Sequence, residues 1–91
     1  MNKQRRTILS KKVAELKTLK SQLEDIKSDI EDVHSEEEDA FDSMPESLQD
    51  GERGETMQEN IDSLDEAYSN LDDIISNIDD VIDSLNEIIE R

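Results

Sequence analysis

Ser63-Leu64-Asp65-Glu66-Ala67-Tyr68-Ser69 is followed by Asn70-Leu71-Asp72-Asp73-Ile74-Ile75-Ser76, Asn77-Ile78-Asp79-Asp80-Val81-Ile82-Asp83 and Ser84-Leu85-Asn86-Glu87-Ile88-Ile89-Glu90. Each seven-residue unit is apolar at its second and sixth positions. The stripe extends back through Ile61 to Met57, so that Met57, Ile61, Leu64, Tyr68, Leu71, Ile75, Ile78, Ile82, Leu85 and Ile89 alternate in steps of four and three. That spacing keeps one side of an α-helix apolar. A period of 3.5 also predicts left-handed supercoiling against a partner helix. The fifth position of each unit is apolar as well: Ala67, Ile74, Val81 and Ile88. Three apolar positions per heptad are more than one partner helix covers. Two hairpins packed as a four-helix bundle would cover them, and a two-helix hairpin of this size has little interior of its own. A homodimer is therefore expected, with Ile61, Leu64, Tyr68, Leu71, Ile74, Ile75, Ile78, Val81, Ile82 and Leu85 at the oligomer interface, the alternative being a groove in another protein.

The first half of the chain repeats the pattern more loosely. Leu9, Leu16, Leu19, Leu23, Ile26, Ile30 and Val33 follow the three-four rhythm, Val13 sits one position off it, and Glu37 interrupts it before Ala40, Phe41 and Met44. A first helix over residues 4–42 follows. The only Pro and both Gly of the chain fall in Ser43-Met44-Pro45-Glu46-Ser47-Leu48-Gln49-Asp50-Gly51-Glu52-Arg53-Gly54-Glu55, where turn signals concentrate. Residues 43–55 are read as the turn and residues 56–90 as the second helix. Ser43 is a candidate cap for a short helical turn, with Glu46 as its capping-box partner and Pro45 near the first position. Asp50 or Thr56 would cap the second helix. The fold class is all-α: two long antiparallel helices in one domain spanning residues 1–91.

Charge supports the same hairpin. The 91 residues carry 26 acids and 10 bases, a net of −16, which divides into +6 over residues 1–20 and −22 over residues 21–91. Folding about residue 48 lays the basic segment beside Asp79, Asp80, Asp83, Glu87 and Glu90 and offsets like-charge repulsion. Residues 31–66 keep 15 acids against Arg53 alone. Glu36, Glu37, Glu38, Asp39, Asp42, Glu46, Asp50, Glu52, Glu55 and Glu59 therefore form an anionic tip, the candidate partner-binding site.

Composition excludes much else. Without Trp or Cys, and with Phe41 and Tyr68 as the only rings, the chain has too little apolar volume for a layered core around a pocket, and a non-enzymatic protein is expected. The absence of Cys removes thiolate metal sites and disulfide frameworks. A mean hydropathy of −0.87 with this charge resembles disorder, but the heptads overturn that reading. No apolar run exceeds two residues, so no membrane span or signal peptide is expected and residence is expected to be cytoplasmic. An isoelectric point near 4.1 repels nucleic acid and anionic membranes and attracts basic surfaces.

Candidate chemistry is sparse. Glu31-Asp32-Val33-His34 contains the Glu-x-x-His pair of di-metal bundles, but no acid lies on the second helix's stripe to complete such a site and Glu37 is the one candidate on the first, so His34 reads as a solvated residue beside Val33. Glu36-Glu37-Glu38-Asp39 lacks the Gly and ligand alternation of a calcium loop. One His and no Cys assemble no nucleophilic triad. No cofactor and no metal site is expected. Basic residues 3–20 carry no interleaved aromatic, so internal neutralisation is a better reading of them than nucleic-acid or membrane binding. Tyr68 reads as a core ring. Two functional classes remain: a binding inhibitor whose carboxylates imitate DNA phosphates toward a basic protein, and a structural coiled-coil dimer whose acidity serves solubility. A secreted helical hairpin of the type-VII kind lacks its Trp-x-Gly turn, although Tyr68-x-x-x-Asp72 is present by spacing.

The stretch from Glu36 through Glu55, with its Met44-Pro45-Glu46-Ser47-Leu48-Gln49 and Glu52-Arg53-Gly54-Glu55 pieces between acidic heptad helices, resembles small acidic helical-hairpin proteins of phages and prophages of Gram-positive bacteria. The resemblance implies a mobile-element origin in a bacterial host and a protein that modulates a host factor. It also points to Pro45, Leu48, Gln49, Arg53 and Gly54 as turn positions, whether for recognition or simply to build the reversal.

Overall fold

The computed structural model describes all 91 residues as an all-α hairpin of 68 × 15 × 14 Å. Three helices follow in order: α1 (Lys3–Asp42), α2 (Glu46–Gln49) and α3 (Glu52–Glu90). No strand is present, and no helix is long and apolar enough to cross a membrane. Asn2 caps α1 by accepting a 2.8 Å hydrogen bond from the Arg5 amide.

The long helices run antiparallel. Lys20 meets Asp79, Lys27 meets Asp72 and His34 meets Asp65, pairs that are each centred between Gln49 and Asp50. The expected pivot at residue 48 is thus shifted by one to two positions. Each pair is seven residues from the next on both helices, as a continuous heptad register requires.

With the repeat written abcdefg, the covered positions of α3 centre on a (Gly54, Ile61, Tyr68, Ile75, Ile82, Ile89) and d (Met57, Leu64, Leu71, Ile78, Leu85), with Ala67, Asp79, Asn86 and Ile88 half-buried beside them. This is the stripe read from the sequence. The seam of α1 differs from expectation. Its covered positions are Arg6, Val13, Lys20, Lys27, His34 and Phe41 at a, and Leu9, Leu16, Leu23, Ile30, Glu37 and Met44 at d. Val13, expected off the rhythm, is the most buried residue of α1 at 6 % exposure, and Glu37, expected to interrupt it, lies on the seam half-buried. Leu19, Ile26 and Val33 mimicked the rhythm because each sits at g, three residues beyond a d leucine or isoleucine, yet they are 45–51 % exposed. The physical reason is that Lys20, Lys27 and His34 hold a positions with their aliphatic or ring atoms while their nitrogens reach the flanking acids. The resulting core is thin: its buried apolar residues are Val13, Ile61, Ile75 and Ile82.

The closed end is shorter and more helical than expected. Ser43 ends α1, its amide bonding Asp39 O, and Pro45 is the N-cap of α2 with no side-chain cap bond, so the Ser43–Glu46 capping box does not form. Asp50 closes α2 instead of capping α3. Gly51 occupies the N-cap of α3, where its carbonyl accepts the Glu55 amide at 2.9 Å. Arg53, Gly54, Glu55 and Thr56 therefore lie inside α3, and the non-helical connection contracts from the expected residues 43–55 to short breaks at 43–45 and 50–51. Gln49 ties these pieces together. Its Nε2 donates to Phe41 O at 3.0 Å, which also accepts the Met44 amide at 3.1 Å, and to Met44 O at 3.2 Å. Substituting Gln49→Ala should leave Met44 O unpaired and Phe41 O with the Met44 amide alone, and lower stability by about 1 kcal/mol in urea unfolding. An unchanged midpoint would show that water replaces the amide without cost.

Candidate protein-binding surfaces

Around the seam the two flanks of the hairpin differ in chemistry. In an antiparallel pair the e positions of both helices share one flank and the g positions share the other. The e flank is a polar ladder. Lys20 Nζ lies 2.7 Å from Asp79 Oδ1 and 3.8 Å from Glu24, and Lys27 pairs with Asp72. Lys27 also sits 4.6 Å above the centre of the Tyr68 ring, so the tyrosine is a platform for a cation as well as a seam residue. Both lysines hold their protons above the usual 10.5. For Lys20 the main cause is the hydrogen bond to Asp79, and for Lys27 the bond to Asp72, each outweighing partial desolvation. Folded values above the unfolded one mean that these pairs act fully below pH 10.5 and are lost only as the pH rises past the raised value.

His34 continues the ladder. Its Nε2 lies 2.8 Å from Asp65 and 3.2 Å from Glu38, and neither contact has the geometry of a hydrogen bond. Glu31, His34, Asp65 and Tyr68 line a shallow recess of about 180 Å³. Glu31 and His34 do share this recess, as their spacing suggested, yet no three His, Asp or Glu side chains converge as a metal ligand set. Sequence reasoning placed His34 in solvent beside Val33; the a-position spacing from Lys20 and Lys27 was the signal that could have placed it on the seam.

The tip acids stand where the charge count put them, with one exception. Glu36, Glu38, Asp39, Asp42, Glu46, Asp50, Glu52, Glu55 and Glu59 are exposed around the closed end. Glu37 is half-buried and accepts a 2.9 Å hydrogen bond from Asn60 Nδ2 on α3, so it braces the hairpin and is only partly available to a partner. None of the 15 acids in residues 31–66 is within ion-pairing distance of a Lys or Arg. Asp39 and Asp42 also sit in the last turn of α1, where the helix dipole favours cations and no base is present. Of the turn positions, Pro45, Leu48 and Arg53 are exposed, Gln49 is half-buried and Gly54 is buried.

The g flank is apolar along its middle, between Arg5 and Lys12 at one end and Arg53 and Asn60 at the other. Leu19, Ile26 and Val33 of α1 and Ile74 and Val81 of α3 are all between 45 and 51 % exposed. Ile26, Asp29, Ile30, Val33 and Leu64 line an open groove of about 230 Å³ there. This divides the expected oligomer interface. Ile61, Ile75 and Ile82 are buried within the single hairpin, and Leu64, Tyr68, Leu71, Ile78 and Leu85 are half-buried in its seam. Only Ile74 and Val81 of that expected set stand free, because the two helices already cover each other's a and d positions. Comparison with protein-family models, with curated proteins and with solved structures finds no match for this chain.

Proposed function

We propose that this protein is a non-enzymatic binding module of mobile-element origin whose acidic closed end engages a basic, nucleic-acid-binding protein of its bacterial host. The observation that carries the reading is the uncompensated charge of that end. Fifteen acids and one base occupy residues 31–66, nine of the ten tip acids are exposed, and no Lys or Arg neutralises them. Carboxylates held this way repel one another and oppose the dipole of α1, a local cost that a basic partner surface would remove. The helices set the spacing of the Cα atoms that carry these carboxylates, as a surrogate for phosphates requires. The mobile-element element of the proposal rests on the resemblance of the turn region.

Reversal of exposed acids tests it. Asp39→Lys, Asp42→Lys, Glu52→Lys and Glu59→Lys together change the charge of the end by eight units without touching the seam. Capture of a basic protein from a Gram-positive lysate should be lost with this variant, weaken at least tenfold between 50 and 200 mM salt by the usual phosphate-contact behaviour, and be competed by duplex DNA. Capture that survives reversal and salt would overturn the reading. The second reading, an assembly protein working through coiled-coil association, is favoured by the exposed apolar g flank; its contacts would be indifferent to salt.

A further inference from the structure

We infer that the g flank is covered by a second copy of this chain laid head to tail, giving an antiparallel four-helix bundle with one acidic closed end at each extremity. The inference stands whether or not the acidic end has a partner. Leu19, Ile26 and Val33 recur every seven residues on α1, as do Ala67, Ile74 and Val81 on α3, and the hairpin register sets Leu19 level with Val81, Ile26 with Ile74 and Val33 with Ala67. Five of these six are large side chains about half exposed in one continuous strip. Such a strip on one face marks an interaction surface.

The distribution of acids on α3 is an independent observation. All twelve acids from Glu55 to Glu90 fall at b, e or f positions. None falls at g, and none at the adjoining c positions, which are Thr56, Ser63, Asn70, Asn77 and Ser84. A helix this acidic carries no acid along one whole side, where the one charge is Arg53 at its start. A solvated flank would have no reason to differ from the opposite side, which bears acids in every heptad, whereas a flank packed against another helix must exclude unpaired carboxylates.

Charge and length then select the occupant. The row formed by Ile26 and Ile74 lies at the middle of α1–α2, which runs from Lys3 to Gln49. A two-fold axis through that row overlaps two hairpins along their full length and faces each position of α1 with the antiparallel α1 of the second copy. Residues 3–20, net +6, then lie along residues 32–49 of the second copy, which hold seven acids and no base. Arg5 and Lys12 occupy g positions and continue the column of Leu19, so they reach into that acidic stretch. The contact occurs twice by symmetry. A head-to-head dimer would instead set two ends of −14 side by side. A face 68 Å long and 15 Å wide offers about 1,000 Å² per copy, above the ~800 Å² per partner of a stable interface.

Two measurements decide the matter on the full chain. Sedimentation equilibrium should return twice the 10.4 kDa chain mass at micromolar concentration. A single spin label introduced by Ser47→Cys should report an inter-chain distance of about 60 Å, the span of two positions each 21 residues from the axis at 1.5 Å per residue. A chain mass of 10.4 kDa for the unsubstituted protein at 100 μM, or a label distance below about 25 Å, would overturn the proposal. The double variant Ile26→Asp, Ile74→Asp should sediment as a monomer with its helical circular dichroism retained at 10 °C. A dimer persisting in that variant would place the interface on another face, and this too would overturn it. Should the variant lose its helices, the mass and label distance of the protein with Ile26 and Ile74 in place still settle the question.

Discussion

Gly54→Ala is expected to lower the melting temperature by more than 10 °C and to loosen the closed end of the hairpin. A Cβ on Gly54 would stand 2.0 Å from Gln49 O, 2.5 Å from Gln49 C and 2.7 Å from Gln49 Cα. All three are backbone atoms, so no side-chain rotation relieves the overlap. The chain must move, and with it the Gln49 amide that holds Phe41 O and Met44 O. A displacement of this kind belongs among the severe overpacking cases, at about 3 kcal/mol or more, and each kcal/mol shifts a domain of this size by roughly 4–8 °C. The expectation is sharp because helix propensity points the other way. Gly54 lies inside α3 with ordinary helical backbone and no positive φ, where alanine would otherwise add about 1 kcal/mol of stability. Gly51→Ala is the control: its Cβ would meet only Leu48 O at 3.4 Å, an ordinary contact, so the loss should stay within about 1 kcal/mol. If Gly54→Ala melts at or above the unsubstituted protein, close packing of α2 on α3 is not what fixes the closed end.

The contrast between these two glycines shows where sequence reading stops. Both were legible as turn signals, and the hairpin, its antiparallel sense and its ends follow from heptads and charge alone. The sequence stripe of α3 is the structural seam because every a and d position from Met57 to Ile89 is apolar. On α1 the same reasoning misplaced half the seam. Periodicity counts residue types, and it cannot see that a lysine stem fills an a position while its ammonium leaves the core toward Asp72 or Asp79. Gly54 was assigned to the turn for a related reason. A glycine chosen for the absence of a Cβ against a neighbouring backbone is indistinguishable, in one dimension, from a glycine chosen for a reversal. The acidic end was legible as a charge count, yet the role of Glu37 was not, since its contact with Asn60 depends on a register fixed only by the folded pair.

Neighbouring isoleucines give the largest difference expected from one substitution. Ile75→Asp should abolish cooperative folding, whereas Ile74→Asp should leave the hairpin helical. Ile75 is 9 % exposed at an a position, and Ile74 is 46 % exposed one residue earlier at g. Removing the Ile75 side chain forfeits about 2–3 kcal/mol of apolar burial. The carboxylate that replaces it must either lose its hydration or pull the helices apart, at a further cost of several kcal/mol. The α3 surface around it already carries Asp72, Asp73, Asp79 and Asp80, so no nearby cation on that helix offsets the new charge. Against a total stability of about 5–14 kcal/mol for a chain of this length, and with only three other buried apolar side chains to share the load, the loss takes most or all of what holds the hairpin. Far-ultraviolet circular dichroism at 25 °C should show the Ile75→Asp chain largely unfolded. The Ile74→Asp chain should retain most of its helical signal, with any fall in melting temperature depending on protein concentration, because only the proposed contact between copies would be lost. A concentration-independent collapse of both variants would mean that a single hairpin does not hold its own seam.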